Sequence, residues 1–239
     1  MDDRHDVLLN FYNVKAKAKK LLSLLMLFAL PVAVQAQFTF TTNADNTLTI
    51  AGYTGTDPVV TLPDTTNGMA VTSIGSTAFQ YNNLTSVTIP DSVISIGIGA
   101  FYSCTNLMSI TLPNSVTSIG NAAFYHCASL TCVTIPNSVT NFGSGMFQSC
   151  TSLTNAMIGS GVTTTIGSDA FYNCTSLAMI AVDTNNPAYS SFEGVLFNKS
   201  QTKLIQCPWA KAGSYTMPNG VTNVGSYAFE YCTQLLTLA

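Results

Sequence analysis

Residues 100–120 read Ala-Phe-Tyr-Ser-Cys-Thr-Asn-Leu-Met-Ser-Ile-Thr-Leu-Pro-Asn-Ser-Val-Thr-Ser-Ile-Gly, and this unit recurs along the chain. Its Phe stands at Phe79, Phe101, Phe124, Phe147 and Phe171, at spacings of 22, 23, 23 and 24, and returns at Phe229 after a gap of 58. Three residues after the Phe comes a Cys: Cys104, Cys127, Cys150, Cys174 and Cys232, with Asn82 in the first copy. Leu-x-x-Val-x-Ile-Pro follows, as in Leu84/Val87/Ile89/Pro90 and Leu130/Val133/Ile135/Pro136. Val-x-x-Ile-Gly closes the unit, as in Val93/Ile96/Gly97 and Val116/Ile119/Gly120.

One such unit cannot bury its own apolar side chains. Val-Thr-Ile alternates apolar and polar with the period of a short strand. Pro ends the strand because it cannot donate to the next ladder. Gly after the Ile permits a tight corner. Stacked units bury Leu, Val, Ile and Phe against their neighbours, with strands about 4.8 Å apart in a parallel ladder. The expected fold is a β-rich solenoid with one short parallel strand per coil of roughly 23 residues.

The gap of 58 holds an insertion. Tyr215-Thr216-Met217-Pro218 fits the Val-Thr-Ile-Pro slot, 12 residues later than the period requires. Glu193–Asn198 and Lys203–Pro208 read as a hairpin over a Lys199–Thr202 turn, which places the insertion at about 183–214. Leu235-x-x-Leu238 begins a strand that the sequence does not finish.

The amino terminus reads as an address. Lys15, Lys17, Lys19 and Lys20 precede an apolar run, Leu21–Val34, that ends in Val34-Gln35-Ala36. That is the layout of a secretory signal over residues 1–36. The run has 14 residues, against the ~20 of a spanning helix, so no stable membrane span is expected after signal removal.

The Ala-Phe-x-x-Cys-x-x-Leu-x-x-Val-x-Ile-Pro-x-Ser-Val-x-x-Ile-Gly unit resembles the BspA-like class of bacterial leucine-rich repeats. Phe192–Phe197 with Leu204–Pro208 resembles that family's inter-repeat insertion. Residues 37–70, with Phe38-Thr39-Phe40 and Leu48–Tyr53, resemble its N-terminal β-hairpin cap. The resemblance implies a leucine-rich-repeat array over 71–239, secreted or displayed on a bacterial surface, with adhesion among the family's roles. It supplies no catalytic residues. A carboxy-terminal cap is missing from the pattern.

Composition narrows the function. Only 8 % of residues are charged, the net charge is −3, and beyond Ala36 the only cations are Lys199, Lys203 and Lys211. Nucleic acid needs a Lys/Arg stripe, which is absent. His5 and His126 are the only histidines, and no His/Cys cluster has zinc spacing, so no metal or cofactor is expected. His126 beside Cys127 raises a Cys–His nucleophile pair, but neighbours in a turn do not face each other. Asp183-Thr-Asn-Asn-Pro187 offers oxygens to calcium, or simply forms a turn. Five of the seven Cys share one slot, where stacked Cβ vectors run parallel; a buried, reduced ladder without disulfides is expected.

Binding remains, and no enzyme is expected. The outward strand positions are Thr88, Thr111, Thr134, Met157 and Ala181 in one file, and Ser86, Ser109, Cys132, Asn155 and Met179 in a second. The insertion gathers Trp209, Tyr189 and Phe192, residue types suited to an interface. The partner-binding candidates are therefore Thr88, Thr111, Thr134, Met157, Met179, Trp209, Tyr189 and Phe192. The expected function is adhesion to an extracellular or cell-surface protein. The alternatives are a passive spacer and a glycan-binding segment.

Overall fold

The computed structural model describes residues 37–238, so the segment 1–36, expected to be a secretory signal, lies outside the described residues. Among them the chain is a β-solenoid of about eight turns without a helix. No helix among them is long and apolar enough to cross a membrane.

Two parallel ladders run along the coils. In the first, Val59–Thr61, Ser86–Thr88 and Ser109–Thr111 pair in register, aligning Val60, Val87 and Ile110. It resumes with Cys132–Ile135, Asn155–Ile158 and Met179–Val182, aligning Val133, Ala156 and Ile180. All six of these aligned side chains are buried, and their flanking neighbours point outward, as the alternation requires. In the second ladder Leu48–Tyr53, Met69–Ile74, Ser95–Ile96 and Ser118–Ile119 align Ile50, Ile74, Ile96 and Ile119. Both ladders thus begin inside the segment 37–70, and Phe38–Thr42 forms the outer strand beside Leu48–Tyr53.

The Phe column is the spine of the core. Phe79, Phe101, Phe124, Phe147 and Phe171 stack at ring separations of 5.1, 5.4, 5.4 and 5.9 Å, within 9° of parallel. Tyr53 extends the column at 5.6 Å from Phe79. Cys104, Cys127, Cys150 and Cys174 are buried and each donates its Sγ–H to the Phe carbonyl of the preceding coil. Cys104 reaches Phe79 O at 3.0 Å, and Cys150 reaches Phe124 O at 3.1 Å. Burial pushes the Cys104 and Cys174 thiols up to about 12. They are small apolar fillers.

The corner glycines set how closely coils approach. A Cβ on Gly120 would lie 2.6 Å from Ile98 N, and one on Gly143 would lie 2.4 Å from Gly120 O. The residue before the Cys slot adopts a left-handed conformation in successive coils: Tyr81 (φ 61°), Ser103 (55°), His126 (57°), Ser149 (64°) and Asn173 (59°). Each of the first four donates its N–H to the next coil, for example His126 N to Gln148 O at 2.8 Å.

The unit changes after Val182. Tyr189–Phe192 and Val195–Asn198 pair antiparallel, and Val195–Asn198 pairs antiparallel with Lys203–Gln206. Lys203–Gln206 then pairs parallel with Asn223–Val224 and rejoins the second ladder's pattern. Cys207 N bonds Ala228 O at 2.8 Å, just as Phe101 N bonds Ala123 O. Cys207 therefore occupies the Phe position of this coil. Phe197, brought in by the hairpin, packs in the same buried cluster with Val195, Leu204, Tyr215 and Ala228. Gly213–Tyr215 pairs parallel with Leu235–Leu238, matching Tyr215 to Leu238.

Candidate functional site

The outward side of the first ladder is the most extended uniform surface. Thr88 and Thr111 align, as do Thr134, Met157 and Ala181. Ser86 and Ser109 form the neighbouring file, continued by Cys132, Asn155 and Met179. A third file, which the sequence reading missed, contains Thr85, Met108, Thr131, Thr154 and Ala178. Its backbone runs from coil to coil through Met108 N–Thr85 O, Thr131 N–Met108 O and Thr154 N–Thr131 O. The Thr hydroxyls of this file donate to the preceding carbonyl, Thr154 Oγ1 to Thr131 O at 2.9 Å. The signal was present: a Met in a column otherwise made of Thr and Ala.

No side chain in these three files carries a charge. Its large apolar members are methionines, with Met108 57 %, Met157 39 % and Met179 44 % exposed. Methionine on a surface is flexible and polarizable and adapts to irregular partners. The hairpin abuts the end of this face. Ile180 N donates to Gly194 O at 2.9 Å, and a Cβ on Gly194 would lie 3.1 Å from Met179 Cγ. Exposed Phe192 belongs to the hairpin strand just before that turn, so Met157, Met179 and Phe192 fall at one end of the face.

Tyr189 and Trp209 lie elsewhere. Tyr189 is 8 % exposed; its hydroxyl donates to Thr164 O at 2.7 Å and accepts from Ile166 N at 3.1 Å. It replaces a ladder strand where the second ladder has lapsed, as Asn141 does against Ile119 and Thr164 does against Phe142 N. Trp209 is 9 % exposed and lies edge-on to Tyr172 at 5.5 Å and tilted on Tyr231 at 4.4 Å. It packs the insertion coil between its neighbours.

Trp209 also walls a cleft of about 380 Å³ on the turn side, lined with Tyr172, Tyr227, Gln148, Asp169 and Glu230. Sequence reading did not collect these residues. The signal was the aromatic that follows many of the column Phe residues, as in Tyr102, Tyr125 and Tyr172. Asp169 accepts a hydrogen bond from Ser144 Oγ at 2.6 Å.

The chemical candidates resolve into structure. His126 is exposed in its left-handed turn and contacts Ser103 Oγ through Nδ1 at 3.3 Å, while Cys127 points into the core toward Phe101 O. In the Asp183–Pro187 turn, Asp183 Oδ1 accepts from Asn185 N. Asn186 is fully buried; its amide donates to Gly159 O and Val162 O and accepts from Ala188 N and Tyr189 N, all at 2.8–2.9 Å. The turn's oxygens thus serve the chain itself. Among the described residues no group of three or more His, Cys, Asp or Glu could hold a metal.

Comparison with known proteins places the fold. Among curated proteins none matches the sequence. A leucine-rich repeat protein of T. pallidum is 26 % identical, with a TM-score of 0.62 over 84 % of this chain and 89 % of that one. One from Eubacterium ventriosum is 28 % identical, with a TM-score of 0.64 over 86 % of this chain and 60 % of that one. A leucine-rich cell surface protein of Faecalibacterium prausnitzii is 31 % identical, with a TM-score of 0.50 over 84 % of this chain and 68 % of that one. The BspA type leucine-rich repeat region matches in 6 copies over residues 72–203 and 208–239. With the ladders, the Phe column and this match together, the chain belongs to the BspA-type leucine-rich repeat proteins.

Proposed function

We propose that this chain is a non-catalytic recognition module, exported by its 1–36 segment, that adheres to a protein at or beyond the cell surface. The observation that carries this reading is the uncharged face of the first ladder, from Thr88 to Met179, with Met108, Met157 and Met179 exposed. A face fixed by parallel strands is ordered before it binds, so little entropy is lost on association. With no charge it gives no long-range steering; it favours a flat or extended neutral surface. The F. prausnitzii relative is described as a cell surface protein, which fits display outside the cell. In this reading 37–70 caps the array, 71–239 forms the repeats, and the hairpin at about 183–214 flanks the binding face. Phe192 adds to the contact area, while Tyr189 and Trp209 hold the insertion in place.

A second reading has its own observation. The cleft by Trp209 combines aromatic walls with Gln148, Asp169 and Glu230, a combination suited to stacking and hydrogen-bonding a sugar. One experiment separates the two. The purified chain is titrated over immobilised matrix proteins, cell-surface glycans and microbial cells, beside Thr134→Arg/Met157→Arg and Trp209→Ala variants. Saturable protein binding that falls at least tenfold in the double Arg variant, and persists in Trp209→Ala, is the expected result. Binding competed by free sugar and lost in Trp209→Ala assigns function to the cleft. No saturable binding on any surface rejects both and leaves a spacer.

A further inference from the structure

No disulfide is expected from the sequence, where Cys207 lies outside the shared Cys slot with no evident thiol neighbour. The fold supplies one. Because Cys207 fills the Phe position of its coil, it lies where Cys232 of the next coil sends its side chain. In the regular coils that side chain meets a Phe carbonyl; here it meets a second thiol. Cys232 Sγ lies 3.4 Å from Pro208 O and 3.7 Å from Cys207 O, and Cys207 Sγ lies 3.7 Å from the same Pro208 O. The two sulfurs converge on one carbonyl, that of Pro208. Cys207 N bonded to Ala228 O fixes the two turns against one another.

We propose that Cys207 and Cys232 form a dithiol site that is oxidised to an intramolecular disulfide by exchange with a small or protein-borne disulfide. Cys232 is partly exposed and Cys207 fully buried, which assigns their order of action. The Cys232 thiolate attacks one sulfur of the incoming disulfide, forming a mixed disulfide and releasing one thiolate. Cys207 then attacks the Cys232 sulfur and expels the second thiolate, its own proton passing to the leaving group. Two protein thiols are oxidised, one donor disulfide is reduced, and no other reactant is needed. With the two thiols side by side, the Cys232 thiol is held below its ordinary value and the Cys207 thiol above it, which suits these roles. The ladder thiols cannot compete. Cys104, Cys127, Cys150 and Cys174 are fully buried, and each donates to a carbonyl. The bridge ties the coil that carries the hairpin to the coil after it, across 25 residues.

The test uses the full chain, reduced and then incubated with glutathione disulfide, acid-quenched and analysed by intact mass and thiol count. The expected product has lost two of its seven thiols and is about 2 Da lighter. Trypsin cleaves after Lys203 and Lys211, so the bridge appears as peptide 204–211 joined to peptide 212–239. Cys207→Ser should stop at a glutathione adduct on Cys232, accumulating at least tenfold over wild type. Cys232→Ser should keep its remaining ladder thiols and Cys207 free. A Cys132→Ser background removes the exposed Cys132 from the count. Seven thiols persisting in the wild type, a stable adduct on its Cys232, or a bridge between other residues overturns the proposal.

Discussion

The coils from Ala78 to Val182 and the segment from Asp183 to Leu238 share one sequence unit but are held by different means. In the first, order comes from repetition: five Phe rings in one column, each ladder thiol on the carbonyl of the coil before it, and aligned Val and Ile in two ladders. In the second, it comes from single devices: a buried Asn186, a Tyr189 hydroxyl in place of a strand, Phe197 packing beside a Cys in the Phe position, and Lys211 against Glu193 O at 2.6 Å. A repeated contact is spread over its copies, whereas a single device fails alone. The regular coils therefore tolerate loss of any one surface residue, and the insertion coil depends on a few buried polar atoms.

The largest expected effect breaks the column. Phe124→Ala leaves a cavity between two stacked rings and should cost about 3–5 kcal/mol in urea unfolding. Phe192→Ala, exposed on the hairpin, should cost less than about 0.5 kcal/mol. Equal losses would mean that the column is not the spine. Next, Asn186→Ala strands two carbonyls and two N–H groups in a buried turn and should cost about 3 kcal/mol or more. Hydrogen exchange should show the loss localised to 183–192, with the coils around Phe101 still protected. A loss spread evenly would erase the distinction between the two regions.

Alkali sharpens the comparison. Burial lifts Cys104 and Cys174 from 9.0 to about 12. Below pH 9 both states keep these protons, and the stabilisation is complete. As pH rises from 9 toward about 12, the unfolded chain sheds protons that the native coils hold. Stability then falls, by up to about 1.4 kcal/mol per pH unit for each thiol. Urea curves under reductant at about pH 8 and about pH 10.5 check this, and a Cys104→Ala/Cys174→Ala variant should show the shallower fall. The smallest effect is on the outward face: Thr111→Ala should change stability by less than about 0.5 kcal/mol, its side chain being exposed.

Much of the regular region was legible because identical neighbours impose identical demands. The Phe, Cys, Val and Ile slots named the buried columns, since a side chain that recurs every coil must face its own copy. The strand-face files Thr88/Thr111 and Thr134/Met157 followed from alternation alone. What escaped was whatever occurs once. Nothing in the sequence showed that Cys207 takes a Phe position, because the insertion hides the count between Phe171 and Cys207. Tyr189 and Trp209 looked like interface residues by type, yet lie buried because the hairpin coil lacks repeat contacts and uses large side chains to replace them. The cleft by Trp209 joins side chains from Gln148 to Glu230, a combination that no single repeat contains.

The left-handed residue before the Cys slot bears on how such an array assembles. Tyr81, Ser103, His126 and Ser149 each hold a conformation costly for a side chain, and each gives its N–H to a coil made later in the sequence. A single coil carries the strain without the compensating bond. Assembly thus resembles crystal growth, in which the first layer is uphill and later layers are downhill. Each added coil supplies the bond that offsets the strain of the one before it, and the array lengthens by templated addition at its edge.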